Sequence, residues 1–484
     1  MKLSQLLTGL DVRTAPAADP DITDVVCDSR KVTPGCLFVA LSGARADGHR
    51  FAAAALADGA AAVLLERPVV DGLPPEAPAV QVADTRKALA LVSAAFFGHP
   101  AEQLTLIGVT GTKGKTTTAH ILKAILEAAG HKTAMVGTVG YFLGPEKIAD
   151  ALNTTPESLD LHRFFAQAVA AGCTHLVMEV SSQALKLDRT YGITYDAAVF
   201  LNLSPDHIGG AEHKDFAEYL ACKAKLFTQC RQAVASADDP HTPEILAHCT
   251  APVTTFGFSE GAEIRGGAVT PLRGAGLLGS QFSVTGYDRP VQFNMPGVFN
   301  ASDALAAIAA ARVLGVPEEA VRRGLLTTTV RGRTEVYPHE GDYIVLIDYA
   351  HNDVSFASLL STLRTYDHNR ILVVFGAGGD RPRMRRTDMA REAAKYADFA
   401  VITADNPRTE RVEDICADIT AGLEGKIPSV EIYDRAQAIR YALDMAQPGD
   451  IVALLGKGHE EYIEVNGVRS HFSEKEVLDA YFHQ

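Results

Sequence analysis

"GVTGTKGKTTTAH" (Gly108–His120) follows the apolar run Leu104-Thr105-Leu106-Ile107 and precedes a helical pattern. A glycine-rich turn at a strand-to-helix junction aims backbone N–H groups at an anion, and the helix adds its N-terminal dipole. Gly111 and Gly114 supply the turn, with Thr112 and Lys113 between them. Lys115 is placed to reach the β- and γ-phosphates of a nucleotide, and the Thr116 hydroxyl to bind Mg²⁺, with Thr117 beside it. The longer G-x-x-x-x-G-K-T spacing would need glycine at 109, where valine stands. The loop is therefore a shorter variant. A purely structural turn does not call for adjacent glycine, lysine and threonine, so the stretch reads as a triphosphate site.

Outward from this loop, apolar strand-like runs alternate with helical patterns. "LTLIGVT", "THLVMEVS" and "DAAVFLNLS" surround the helix through "HILKAILEAAG". Such alternation predicts βαβ units around a mainly parallel sheet. Residues 1–98 hold shorter runs, "CLFVAL" and "AAVLL", and end at the linker-like "GHPAEQ". Residues 253–296 turn glycine-rich and strand-like, which predicts a β insertion covering one side of the central domain. From 331 onward, "YIVLIDYA", "RILVVFGAGG", "FAVITADN" and "DIVALLGKG" each precede a helix. The expected fold is α/β with three domains, 1–98, 99–330 and 331–484, the last Rossmann-like with ligand groups at the carboxyl ends of its strands.

Composition narrows the function classes. The 484 residues are 47% hydrophobic and 21% charged, ample for several buried cores. No apolar run reaches the roughly 18 residues of a membrane span. The N-terminus lacks a signal-peptide pattern, which predicts a cytoplasmic protein. Seven cysteines, with no CxxC pair, fit reduced thiols. A net charge of −14 excludes a general nucleic-acid binder. Anions must bind through local clusters, of which Arg381, Arg383, Arg385 and Arg386 form the densest.

Carboxylates and imidazoles at strand ends supply candidate metal ligands. Glu179 closes "LVMEVSS", and Asp206-His207 follow "FLNLS". Beside a phosphate loop these groups suit a metal–triphosphate site. Asn406 and Arg408 stand just beyond "FAVIT", Gly456 and Glu460 beyond another strand, and Arg381 beyond a third. Arginine can grip a carboxylate with two parallel bonds, and a glutamate can pair an ammonium.

"GTKGKTT", "NTTPESL", "MEVSS", "NLSPDH", "CKAKLF", "GVFNASDALAA", "GRTEV", "IDYAH", "ADNPRTE" and "GKGHE" occur in the order found in Mur ligases, and the resemblance covers nearly the entire chain. It is nearest to the members that add the third peptide residue to UDP-N-acetylmuramoyl-L-alanyl-D-glutamate. The resemblance implies an ATP-dependent acid–amino-acid ligase of peptidoglycan precursor synthesis, acting through an acyl phosphate with Mg²⁺. It implies that Lys115, Glu179, His207 and Lys223 carry the chemistry, and that Thr116, Glu179, His207 and a carbamoylated Lys223 hold metal. Asn300, Arg333 and Asp348 resemble ATP-binding residues. Ser29, the Ala44-Arg45-Ala46 loop, Asn153, Thr154, Thr155, Ser181 and Arg189 resemble those that bind the UDP-sugar dipeptide. Arg381, the Asp405-Asn406-Pro407-Arg408 run, Gly456 and Glu460 resemble the amino-acid site. "DNPR" is typical of members that add meso-diaminopimelate, the expected second substrate. The expected enzyme is a monomer with no nucleic-acid or membrane partner.

Some positions depart from the common pattern: Gln183, Leu187 and Asp303. "SPDHIGGAEH" looks more like lysine-adding relatives, so L-lysine is the alternative substrate. A folylpolyglutamate synthetase would share the loop, but the N-terminal segment and "DNPR" speak against it. A nucleotide-binding regulator without activity would show a broken metal site, whereas Lys115, Glu179, His207 and Lys223 are all present. "FGAGGD" lacks the G-x-G-x-x-G of a dinucleotide oxidoreductase.

Overall fold

The computed structural model describes residues 1–43, 46–67, 70–74, 76–206, 208–209, 212–274 and 277–483. It forms two compact units, Met1–Ile264 with Ala306–Val321, and Arg265–Leu305 with Arg322–Gln484.

The first unit holds two sheets. In the five-stranded N-terminal sheet, Val25–Val26, Leu37–Val39, Ala62–Leu65 and Ala79–Val82 run parallel, and Val12–Thr14 closes one edge antiparallel. Asp84 starts the helix Thr85–Phe96 by accepting from the N–H groups of Arg86 and Lys87. That helix packs Leu89 and Val92 onto Leu37, Leu64 and Val80. In the nine-stranded central sheet, Thr105–Thr110 lies between Ala197–Phe200 and His175–Glu179, all parallel. These strands are buried throughout, and for that reason they read as unbroken apolar runs rather than alternating ones. Parallel pairing brings their carboxyl ends, and hence Gly111, Glu179 and Leu201, to one edge.

The second unit centres on a six-stranded sheet in the order Glu335–Tyr337, Ile344–Asp348, Ile451–Leu455, Ile371–Phe375, Phe399–Ile402 and Ser429–Glu431. All pairs are parallel except the first. Phe356, Leu360, Met389 and Ile419 pack on one face, Ile439, Leu443 and Leu478 on the other. Helices on both faces make this the doubly wound arrangement expected from the four apolar runs. Asp348, Gly376, Thr403 and Gly456 follow or end adjacent strands at one edge.

The stretch 253–296 departs from its expected role. Val253–Gly257 and Ile264–Arg265 extend the central sheet, but Thr270–Gly274, Leu277–Phe282 and Val291–Phe293 form their own antiparallel sheet in the second unit. Leu278 enters the core around Phe356 and Leu359, and the Tyr366 hydroxyl donates to the Gly279 carbonyl at 2.6 Å. Glycine-rich strands carry little periodicity, so sequence shows that they pair but not which core they join.

Candidate active site

At the carboxyl edge of the central sheet, Gly114 starts the helix Lys115–Ala128 at φ +86°, a left-handed geometry that favours glycine. A Cβ on Gly111 would stand 2.9 Å from Leu201 Cβ, so the loop needs glycine there to lie against the next strand. Asn202 fixes the loop from the side, its Oδ1 accepting from Lys113 N at 2.9 Å and its carbonyl from Thr112 N at 2.9 Å. Lys113 pairs with Asp206 at 3.2 Å. Thr117 is buried in the first turn of the helix.

Glu179 is 1% exposed, and its carboxylate is fully engaged. The Thr116 hydroxyl donates to it at 3.0 Å, Thr138 N at 2.8 Å and the Thr138 hydroxyl at 3.1 Å. A Cβ on Gly137 would lie 2.2 Å from Glu179 Oε1. The hydroxyl and the carboxylate meet as a pair of hard oxygen donors at the helix start, which fits Mg²⁺ shared with phosphate oxygens. Among the described residues no three carboxylates, imidazoles or thiols cluster as a metal cage. Mg²⁺ bound with substrate phosphates does not require one. His207, the fourth expected catalytic residue, lies outside the described residues.

Lys223 is 1% exposed on the helix Phe216–Ala224 and donates to the Gly111 carbonyl at 2.9 Å. Lys115 donates to the same carbonyl at 2.8 Å. Burial, reinforced by the Lys115 charge, pulls the Lys223 ammonium well below the usual lysine range. Lys225, two positions on, instead pairs with Asp188 at 3.4 Å near the surface.

Lys115, Thr138, Asn153, Thr154, Ser181, Arg189, Tyr219 and Lys223 line a cavity of about 350 Å³. The Thr155 hydroxyl donates to the Glu179 carbonyl at 2.8 Å and accepts from Ser181 N at 3.0 Å, which locks the cavity wall to the strand end. Arg189 is held by the Thr155 carbonyl at 2.9 Å and Glu157 at 2.6 Å. Gln183, a departure from pattern, also lines the cavity. In the N-terminal sheet, Ser29 opens a short 3₁₀ turn behind Asp28, and the Ala46 carbonyl accepts from Gly43 N at 3.0 Å. Ala44 and Arg45 lie outside the described residues.

The second unit gathers another set. Arg381, Arg385, Asp405, Asn406, Arg408, Gly456 and Glu460 line a cavity of about 120 Å³, together with Tyr349 and His351. Asn406 Nδ2 donates to Glu460 Oε2 at 2.8 Å, and the Tyr349 hydroxyl to Glu460 Oε1 at 3.3 Å. Arg408 sits at φ +53° and donates to the Gly379 carbonyl at 2.9 Å. A Cβ on Gly379 would meet the Pro407 carbonyl at 1.9 Å, so these two loops touch through backbone alone. Burial pulls the Arg385 guanidinium down, and the neighbouring Arg381 charge adds to it. The lining is bipolar in composition, combining the arginines with Glu460 and Asp405.

Asn300, Arg333 and Asp348 lie close to one another around Thr334. Asn300 Nδ2 donates to the Thr334 hydroxyl at 3.2 Å, and Thr334 N to Asp348 at 2.6 Å. Burial raises the Asp348 carboxyl, with Arg333 and two backbone N–H groups opposing. Arg333 stacks over the Tyr349 ring at 4.8 Å.

Comparison with known proteins bears on both sets. Residues 21–97 match the Mur ligase family catalytic domain, 109–311 the Mur ligase middle domain, and 332–458 the Mur ligase glutamate ligase domain. A protein of Caldanaerobacter subterraneus subsp. tengcongensis is 38% identical over 482 residues, 99% of this chain and 98% of that one. The chain belongs to the Mur ligase family. That relative is named UDP-N-acetylmuramoyl-L-alanyl-D-glutamate--2,6-diaminopimelate ligase, as is one of Chlorobaculum tepidum, 41% identical over 487 residues, 96% of this chain and 93% of that one. A solved structure of a ligase of the same name covers 96% of each chain with TM-score 0.71 and 29% identity.

Reading the sequence of this Mur ligase missed three residues that the structure puts in the sites. Asn202 stands at a strand end two residues before "SPDH", where the strand-end rule that picked Asp206 applies equally. Thr138 follows a strand in "GTVG" and carries no motif of its own. Lys457 lies inside "GKGHE", between the two residues taken from it.

Proposed function

We propose that this enzyme joins meso-2,6-diaminopimelate to UDP-N-acetylmuramoyl-L-alanyl-D-glutamate with ATP, in peptidoglycan precursor synthesis. Substrate carboxylate oxygen attacks the γ-phosphorus and ADP leaves. The incoming amine then attacks the acyl phosphate carbon, phosphate leaves, and the amine loses a proton. Lys115 balances charge on the transferring phosphoryl group, which is where a fixed cation lowers the barrier most. Arg189, Asn153 and Thr154 hold the dipeptide in the larger cavity, and Ser29 with residues 44–46 holds the uridine diphosphate end. Asn300, Arg333 and Asp348 hold ATP. Thr116, Glu179, His207 and carbamoylated Lys223 would hold Mg²⁺, which when bound neutralises phosphate charge. A lysine whose ammonium is disfavoured by burial is the form that reacts with CO₂, so the environment of Lys223 suits a carbamate.

The observation that carries the choice of amino acid is the bipolar pocket. Meso-diaminopimelate ends in both a carboxylate and an ammonium, and the pocket offers Arg408 and Arg381 to the first and Glu460 to the second. L-Lysine would leave the arginines without a partner. The relatives' names support the same substrate. The limits of the three family domains support the division at 98/99 and 330/331. Seven free thiols support a cytoplasmic enzyme, and no helix among the described residues is long and apolar enough to cross a membrane. The test is amide formation by the purified chain, followed by mass spectrometry. Product should require ATP, Mg²⁺, the UDP-sugar dipeptide and diaminopimelate together. Glutamate addition to a folate instead would overturn the reading.

A further inference from the structure

Lys457 is 0% exposed, although lysine is rarely found without solvent. Its backbone is turned inward by two glycines at positive φ, Gly456 at +111° and Gly458 at +54°. A Cβ at Gly456 would stand 2.7 Å from Asp405 Oδ2, and one at Gly458 2.7 Å from Tyr349 Cβ. The Lys457 ammonium faces Asn406 Oδ1 at 3.2 Å, Asp405 Oδ1 at 3.4 Å and Glu460 Oε2 at 3.5 Å. The Tyr462 ring lies 5.5 Å away, and the buried Arg435–Glu474 pair stands behind Asp405.

One buried cation thus touches three residues that line the amino-acid pocket. Asn406 is oriented by it: Oδ1 accepts from Lys457 and from Glu464 N at 3.0 Å, which leaves Nδ2 to donate to Glu460. Turning that amide would aim two hydrogens at two donors. Asp405 and Glu460 share this ammonium, and with it removed two poorly solvated carboxylates would face each other across Asn406. Their repulsion would then turn Glu460 out of its present position.

We propose that Lys457 is a positioning residue for amino-acid recognition, its ammonium holding Glu460 in place and aimed at the distal ammonium of the substrate. This rests on the amino-acid reading of the pocket above. Lys457→Met keeps the volume and removes the charge. It should raise KM for diaminopimelate at least tenfold at pH 7, while kcat at saturating diaminopimelate changes little. KM for ATP and for the UDP-sugar dipeptide should stay within twofold. Added to Glu460→Gln, which has no carboxylate for the ammonium to hold, Lys457→Met should change KM for diaminopimelate by less than twofold. A purely structural lysine would lower kcat or thermal stability with no selective rise in that KM, and this result would overturn the proposal. If Glu460→Gln itself leaves KM for diaminopimelate unchanged, the pocket reading falls instead. Lys457→Gln supplies the same comparison if the methionine variant does not fold.

Discussion

Two lysines compete for one carbonyl at the phosphate loop, and their different surroundings assign them different work. Lys115 begins a helix at the cavity wall, where its charge can follow a phosphoryl group. Lys115→Ala should lower kcat by about 10²–10³-fold, as loss of a single transition-state charge donor typically does, while far-UV circular dichroism stays unchanged. Near wild-type turnover would remove Lys115 from the chemistry. Lys223 is buried and its ammonium disfavoured. The neutral amine takes up CO₂ with release of a proton, so the carbamate is favoured at higher pH and lost on acidification. Stripping CO₂ should therefore reduce activity most at the acidic end of the working range, and bicarbonate should restore it. Lys223→Ala should be nearly inactive and partly rescued by short-chain carboxylates; insensitivity to CO₂ together with an active alanine variant would contradict the carbamate. The family resemblance singles out Lys223 of "CKAKLF", whereas residue type alone does not separate it from Lys225. Packing gives the physical reason, since burial depends on which helix face meets the loop.

Strand ends were the most legible elements. Unbroken apolar runs marked the central and C-terminal strands, and parallel pairing then forces their carboxyl ends to one edge, which is how Glu179 and Arg408 could be picked out. What sequence did not reveal is how those ends are locked. Gly137 ends the strand Thr133–Gly137 against the Glu179 carboxylate, and nothing in "VGTVG" announces it. Gly137→Ala would push a methyl group into Oε1, at a cost of about 1–3 kcal/mol if Glu179 yields. Turnover should fall at least tenfold and the Mg²⁺ concentration for half-maximal rate should rise. An unchanged Mg²⁺ dependence would mean that Glu179 does not serve the metal. The Thr270–Phe293 strands were legible as strands but not in their allegiance, because the contacts that tie them to the second unit, Leu278 in its core and Gly279 bonded to Tyr366, leave no mark in the sequence.

Over the whole molecule, the phosphate loop with Glu179 and Lys223 belongs to the first compact unit, and the bipolar pocket to the second. The family motifs made both sets readable from the chain, since each lies in a contiguous run of a few residues. The connections between runs, such as Lys457 holding Asp405, link residues tens of positions apart and are set by sheet order. The pocket's arginines and Glu460 together would select an amino acid with a distal carboxylate and ammonium. Losing one partner of a desolvated charge pair costs several kcal/mol, so discrimination should be large. The most direct test is a competition in one reaction, with equal meso-diaminopimelate and L-lysine, ATP, Mg²⁺ and the UDP-sugar dipeptide, products counted by mass. The wild-type chain should make the diaminopimelate product almost exclusively, and Arg408→Ala should lose that preference while KM for ATP barely moves. A wild-type enzyme that incorporates lysine in preference to diaminopimelate would contradict the account.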